Sequence, residues 1–113
     1  MSERFGRVLV PGEARPGRAT VRISIEDASI ADASSIRLAA AVLPDVDILP
    51  DHDVLFAVDV DDPVPSDAIV RVHVDRDGDG ELSAGDLLTT QSIPVTVLGD
   101  TPATAGGVPV RVI

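Results

Sequence analysis

A twelve-residue run that begins at Asp75 holds the residues best suited to chemistry. Its oxygen-bearing residues follow the spacing of an EF-hand calcium loop, with glycine at the sixth position. The predicted ligands are Asp75, Asp77, Asp79, Glu81 through its backbone carbonyl, Ser83 and Asp86. Calcium is a hard cation that takes about six to eight oxygen ligands, so a loop that turns these oxygens inward can hold it. The run therefore predicts a Ca2+ site.

The same run departs from an EF-hand in two ways. Its twelfth residue is Asp86 rather than glutamate, and the shorter side chain favours weaker calcium binding and leaves Mg2+ as an alternative ion. Its flanks, residues 69–74 and 87–93, have the pattern of strands rather than helices. A loop without paired helices cannot open as a calcium sensor does, so we expect the ion to hold a hairpin together.

An acidic hairpin without an ion is the alternative interpretation of this run. Its two Asp-Gly pairs, at 77–78 and 79–80, suit tight turns. Five acids and one arginine give the run a formal charge of −4, however, and without a cation these carboxylates repel one another. This repulsion favours the cation site. We expect Gly80 to supply a sharp turn and Leu82 to pack on the fold beneath the loop.

Two other histidine-containing regions are weaker candidates. One is a cluster that could bind a second metal: Asp45, Asp47, Asp51, His52 and Asp53. It has no fixed ligand spacing, so a solvated loop is the favoured interpretation. The other is His73, which alternates with valines and is predicted to be an exposed histidine on the solvent side of its strand.

Composition limits the class of protein. The 113 residues suit one domain, 1–113, and 44% of them are hydrophobic, enough for a core. A formal charge of −10 and an aromatic content of 2% disfavour nucleic-acid binding and anionic membrane surfaces. No segment approaches the roughly 20 apolar residues of a membrane span. There are no cysteines and no motif of a nucleophile, phosphate loop or zinc protease, so we expect a protein that is not an enzyme.

Period-two alternation of apolar residues dominates the chain and predicts strands. The predicted strands span residues 5–10, 19–27, 35–43, 53–61, 68–75, 88–98 and 107–112. Turn-forming residues separate them, including the segment 32–34. Seven short strands favour an all-β sandwich of immunoglobulin- or transthyretin-like type, with the acidic loop between strands five and six. Pro94 cannot donate to a ladder, which places its strand at an edge or at a bulge.

Four segments carry a resemblance to a known family. They are Thr20-Val-Arg-Ile-Ser-Ile-Glu-Asp-Ala-Ser-Ile-Ala-Asp32, Asp53-Val-Leu-Phe-Ala-Val-Asp59, Ile69-Val-Arg-Val-His-Val-Asp75 and Leu87-Leu-Thr-Thr-Gln-Ser-Ile-Pro-Val-Thr-Val97. With the residues between them, the region 19–98 resembles the YscW/YbaY family of small bacterial lipoproteins and type III secretion pilotins. The resemblance implies a β-sandwich without catalytic residues, and pilotins bind and help place an outer-membrane secretin. The 113 residues depart from that family's pattern, since they show no export-signal pattern and contain no cysteine for lipid attachment.

These observations predict a non-enzymatic binding or accessory module with a structural Ca2+ or Mg2+ site in a hairpin loop. Its partners are a divalent cation and a protein, and we expect a monomer or a closed dimer. The alternative is a self-assembling structural protein that pairs through its edge strands. As written the sequence predicts a cytoplasmic protein, and a periplasmic or secreted one if an export signal has been removed.

Overall fold

Two β-sheets make up the fold in a computed structural model that describes residues 2–27 and 36–113. The strands are β1 (Ser2–Leu9), β2 (Gly17–Asp27), β3 (Ile36–Ile48), β4 (Asp53–Val60), β5 (Ile69–Asp75), β6 (Leu87–Leu88), β7 (Ile93–Pro94), β8 (Gly106–Pro109) and β9 (Arg111–Val112). Two 3-10 helices, Val95–Val97 and Pro102–Thr104, complete the elements. The prediction of an all-β sandwich is confirmed.

The two sheets differ in size. The three-stranded sheet has the order β4-β1-β8, in which β1 and β8 run parallel. The six-stranded sheet has the order β3-β2-β5-β6-β9, and β7 pairs with β5 as well. Its strand pairs are antiparallel. The long strands β2 and β5 therefore lie in its middle, where each is paired on both edges.

Alternation along the strands builds the core between the sheets. In β2, Val21, Ile23 and Ile25 are fully buried, whereas Arg22 and Ser24 point to the other face and are only half-buried. The three-stranded sheet contributes buried residues to the same cluster, including Val8, Phe56 and Val108. Burying a valine, isoleucine or phenylalanine side chain contributes about 1.5–3 kcal/mol, so this inner layer supplies most of the stabilisation.

Two of the predicted strands are wrong as continuous elements. The run 88–98 divides into β6, a loop, β7 and a 3-10 helix. Pro94 has no N–H group, and it lies at an edge as predicted, in the short strand β7. The run 107–112 also divides, because β8 pairs with the three-stranded sheet and β9 with the six-stranded sheet.

The remaining predicted strands are present with shifted ends. The first begins earlier, at Ser2, and the third continues to Ile48 despite the proline at position 44. The segment 35–43, in which alanine and leucine also favour helix, is a strand from residue 36 onward because it pairs with β2. The predicted turn at 32–34 and residue 35 lie outside the described residues.

Candidate metal centre

The acidic run 75–86 forms the loop of the β5–β6 hairpin. Val74 pairs with Leu87 and His73 with Leu88, so the two ends of the loop are brought together by strand pairing. Asp75 is the last residue of β5, and Asp86 directly precedes β6. Both carboxylates are fully buried, with an exposure of 0%. A buried carboxylate has to be compensated by hydrogen bonds or opposite charge, which the main chain of the loop and the side chains of Arg22 and His73 supply.

Asp75 organises the first half of the loop. Its Oδ1 accepts a hydrogen bond from the Gly78 N–H at 3.0 Å, and its Oδ2 accepts one from the Gly80 N–H at 2.8 Å. The Arg22 Nε of the adjacent strand β2 donates to Oδ2 at 3.1 Å. Gly80 adopts φ of +82°, a conformation in which a Cβ is strained, as the sequence predicts. One carboxylate thus bends the chain back on itself and ties it to the sheet.

Asp86 organises the second half of the loop. Its Oδ1 accepts a hydrogen bond from the Arg76 N–H at 3.0 Å, and its Oδ2 accepts one from the Ser83 N–H at 3.1 Å. The His73 Nε2 lies 2.8 Å from the same Oδ2. The loop is therefore fastened at both ends by carboxylates that accept main-chain N–H groups.

These contacts lower the pKa of both carboxyl groups. Burial by itself raises the pKa of Asp75, but the hydrogen bonds from the Gly80 N–H, Arg22 and the Gly78 N–H outweigh it, and the pKa lies below its usual 3.8. Burial raises the pKa of Asp86 in the same way, and its hydrogen bonds, first that of His73, outweigh it. Both groups are therefore carboxylates at neutral pH.

Three side chains converge at the base of the loop. A ring nitrogen of His73 and one carboxylate oxygen each of Asp75 and Asp86 lie within 4.8 Å of one another. The prediction that His73 is an exposed histidine is wrong, because its side chain is only 14% exposed. Alternation could have located it, since residues two apart on a strand share a face and His73 lies two residues before Asp75. What the sequence could not show is that the loop covers that face.

The middle of the loop is more exposed than its ends. Asp77, Asp79 and Glu81 are exposed and do not belong to the converging group, and Ser83 is half-buried. Leu82 does not pack on the fold as predicted, because it is 58% exposed. The oxygen ligand set of an EF-hand loop stays a prediction for these positions.

The second acidic cluster is a solvated segment, as favoured from the sequence. Residues 45, 47 and 51–53 are all exposed. Asp47 pairs with Arg18 at 3.4 Å and Asp53 with Arg7 at 2.7 Å, while the His52 Nδ1 lies 2.9 Å from the Pro50 carbonyl oxygen. None of these residues belongs to the metal-competent group found in the described parts of the chain. In those same parts, no helix is long and apolar enough to cross a membrane.

Comparison with known proteins identifies a related fold. No protein-family model matches the chain, and no curated protein matches it either. A solved structure that it resembles is the alternative pilotin from the type II secretion system of Vibrio cholerae, with a TM-score of 0.66. The two chains are 21% identical over 99% of this chain and 95% of the pilotin. The similarity shows that this chain has a pilotin-like β-fold.

Proposed function

We propose that this chain is a non-enzymatic accessory module that binds a protein partner, and that its loop 75–86 holds a divalent cation. The observation that carries the cation is the burial of Asp75 and Asp86 beside His73, with their ligand atoms within 4.8 Å of one another. The pilotin-like fold over nearly the whole chain supports the accessory role. The resemblance of residues 19–98 to the YscW/YbaY family supports it from the sequence side.

Charge supports a cation in this loop. The five acids and one arginine between residues 75 and 86 leave a formal charge of −4. Arg22 reaches into the loop from the neighbouring strand and pairs with Asp75, which compensates one of these charges. The others are left to repel one another, and repulsion between carboxylates at close range is relieved by a bound divalent ion. A cation is thus the ligand that the electrostatics of the loop favour.

The ligand atoms of the loop determine which cation it would bind, and the place of that cation in the hairpin gives it a role in stability. Ca2+ takes oxygen ligands, and Mg2+ takes fewer at shorter distance, so both suit the carboxylates of Asp75, Asp77, Asp79 and Asp86. The ring of His73 would suit a transition metal such as Zn2+ better. A cation that joins the two ends of a hairpin loop binds the folded chain and not the unfolded chain, and it therefore stabilises the fold.

Thermal unfolding in EDTA, Ca2+, Mg2+ and Zn2+ tests the cation site. At a free ion concentration 100 times the Kd, the folded state gains about 2.7 kcal/mol, on the order of 10 °C in the unfolding midpoint. Asp79→Asn should reduce the gain, because it removes a predicted ligand that is exposed and outside the core. Asp67→Asn, an exposed aspartate in the loop before β5, is the matched control and should leave the gain unchanged. An identical midpoint in EDTA and in each ion would refute the site.

Self-assembly is the second candidate, and strand β3 favours it. This strand is 13 residues long, and among the described residues it pairs with β2 alone. Its exposed apolar residues include Ile36, Leu38 and Val42. A long apolar edge is a template for pairing with another copy. Sedimentation velocity separates a monomeric accessory module from a dimer or a longer assembly.

A further inference from the structure

A small pocket lies where edge strands of the two sheets meet, and no residue of the loop 75–86 lines it. In the described residues, β4 pairs with β1 alone and β3 with β2 alone, and β3 and β4 are in contact. Leu38 of β3 and residues 60–65, which follow β4 toward β5, line a volume of about 210 Å³. We call this the edge pocket. A cavity of about 150 Å³ holds a molecule of the size of benzene, so the edge pocket has room for one side chain.

The main chain gives the edge pocket its shape. Arg37 and Ala39 are opposite successive residues of β2, so Leu38 between them is the extra residue of a β-bulge. A bulge re-aims the side chain of its extra residue relative to the regular strand. The other lining segment contains Pro63 and Pro65, whose rings fix the main-chain angle φ. A lining that is already restricted costs little entropy to order around a ligand.

The lining combines apolar and acidic residues. Leu38 is 38% exposed, and Val64 and Pro65 are half-buried, so they offer apolar surface to a ligand. Asp61 and Asp62 line the same pocket and are exposed. Arginine and lysine side chains suit such a surface, because they pack an aliphatic stem on apolar groups and keep a charged head in water.

The segment that forms the pocket is acidic. Residues 59–67 contain four aspartates and no basic residue, so their formal charge is −4. Arg4 pairs with Asp62 at 3.5 Å and also with Asp100, so two carboxylates share one guanidinium group. Asp61 forms no ion pair within the part of the chain that the structure describes. Its carboxylate is therefore available to a cationic group from another molecule.

A pair of like charges beside the pocket adds to this acidity. Glu3 of β1 and Asp59 of β4 are directly opposite each other, and both are exposed. Like charges in opposite positions destabilise a pair of strands. Neither residue has an ion pair among residues 2–27 and 36–113. A basic group bound at this end of β4 would relieve the repulsion.

The edge pocket suits an organic cation better than a metal ion. The group of three converging metal ligands found in the described residues is His73, Asp75 and Asp86, and it lies outside the pocket. A metal ion needs several ligand atoms around one point. A guanidinium group instead spreads its charge over a plane with five N–H donors, and it binds carboxylates through charge-assisted hydrogen bonds.

We infer that the edge pocket binds an arginine side chain of a protein partner, with the aliphatic stem on Leu38 and the guanidinium group at Asp61. Charge complementarity carries the choice of a basic occupant, and the two neighbouring carboxylates favour arginine over lysine. A second copy of this chain would bring its own formal charge of −10 to an acidic pocket. The inference rests on the proposed accessory role and names the chemistry of one contact with the partner. It does not depend on the cation in the loop 75–86.

Three short peptides with blocked ends test the edge pocket. Each has one central residue between valines: arginine in the first, its uncharged isostere citrulline in the second, and lysine in the third. Each is titrated into the full chain labelled with 15N, once in EDTA and once in Ca2+. The arginine peptide should bind saturably in both, with a Kd on the order of 1 mM for so small a contact. Its chemical-shift changes should centre on Leu38 and residues 60–65. The citrulline peptide should bind about fivefold more weakly, because it lacks the charge.

Matched variants separate the edge pocket from the rest of the surface. Asp61→Asn should weaken binding of the arginine peptide about fivefold. Asp67→Asn is its control, because it removes the same charge from the same connection at a residue that does not line the pocket. Leu38→Ala should weaken binding about threefold through the lost apolar contact. Leu49→Ala is its control, because Leu49 is 43% exposed and lies outside the pocket. Both controls should stay within about 1.5-fold of the unsubstituted chain.

Five results would overturn the edge pocket. They are no saturable binding of the arginine peptide up to about 20 mM, equal binding of the citrulline peptide, tighter binding of the lysine peptide, equal losses in variants and controls, and shift changes centred elsewhere. Melting curves recorded on the same samples keep the two proposals apart. A Ca2+-induced rise in the midpoint without peptide binding refutes the edge pocket alone. Peptide binding without such a rise refutes the cation site alone.

Discussion

Two segments of this chain combine aspartates with a nearby histidine, and the fold uses them in opposite ways. In the loop 75–86, the two end carboxylates are buried and accept main-chain hydrogen bonds. In the segment 45–53, every aspartate is exposed, and the ion pairs formed by Asp47 and Asp53 lie at the surface. Acidic composition alone therefore does not make a candidate site. The difference comes from how the flanking strands are paired.

The connection that each segment makes explains the contrast. The loop 75–86 joins β5 and β6, which pair with each other in one sheet, so its ends meet. The segment 45–53 leads from β3 in the six-stranded sheet to β4 in the three-stranded sheet. Two of its aspartates, Asp45 and Asp51, adopt positive φ values of 53° and 61°. Aspartate is among the residues that tolerate this conformation, so Asp45 suits the bulge within β3 and Asp51 suits the turn before β4.

We expect the largest loss of stability from the removal of one buried carboxylate of the loop 75–86. Asp75→Ala leaves the Gly78 and Gly80 N–H groups and Arg22 without their acceptor. We expect a loss of about 3 kcal/mol in the free energy of unfolding, since hydrogen bonds to a charged group contribute about 1.5–3 kcal/mol. Chemical denaturation by urea, followed by circular dichroism, measures it.

The exposed segment supplies the control for this substitution. Asp47→Ala removes an ion pair with Arg18 in which both side chains are largely exposed. Such pairs contribute about 0–1 kcal/mol, so the free energy of unfolding should change by less than about 0.5 kcal/mol. Similar losses in the two variants would mean that the burial of Asp75 does not distinguish the two segments.

The sequence predicts the sheets better than the base of the loop. Alternation in β2 and β5 predicts buried valines and isoleucines, because a strand has two faces and the apolar one faces the core. The breaks in the run 88–98 were missed, since they depend on which strand pairs with β5 at each point. The role of His73 was missed because it needs Asp86, 13 residues away, to fold back over the sheet. Long-range closure of this kind is not encoded in any local pattern.

Acidification should reduce the stabilisation that the two buried carboxylates of the loop 75–86 provide. The loss should be smaller than the loss caused by deletion of a carboxylate. The pKa of Asp75 and that of Asp86 lie below the usual 3.8 in the folded chain. A folded-state pKa below the unfolded one gives stability that is present above about pH 4 and is lost as the pH falls through the folded-state pKa. The carboxylates of Asp75 and Asp86 therefore stabilise the fold at neutral pH and lose this contribution in acid.

A pair of asparagine variants isolates this pH dependence from that of the other acids. The difference in free energy of unfolding between the unsubstituted chain and Asp75→Asn should shrink as the pH falls from about 4 through the folded-state pKa, because below that pKa both chains carry an uncharged group at position 75. The corresponding difference for Asp47→Asn should stay within about 1 kcal/mol, because an exposed ion pair contributes only about 0–1 kcal/mol. Urea denaturation between about pH 3 and pH 7 provides both curves. A pH-independent gap for Asp75→Asn would contradict the assignment of a lowered pKa.

The smallest effect concerns the turns rather than the carboxylates. In Gly80→Ala, the new Cβ would meet nothing nearer than an Arg22 side-chain nitrogen at 4.0 Å, so the strain comes from the φ of +82° alone. A left-handed conformation costs an alanine about 1–2 kcal/mol, and we expect a loss of that size. In the other segment, Asp51→Gly relieves φ of 61° but adds freedom to the unfolded chain, so its net change should stay within about 0.5 kcal/mol. Urea denaturation of the two variants measures both.

Gly80→Ala should also weaken stabilisation by Ca2+, because the Gly80 N–H bonded to Asp75 holds a predicted ligand in place. An alanine at position 80 that changes neither quantity would show that the turn is not what shapes the loop.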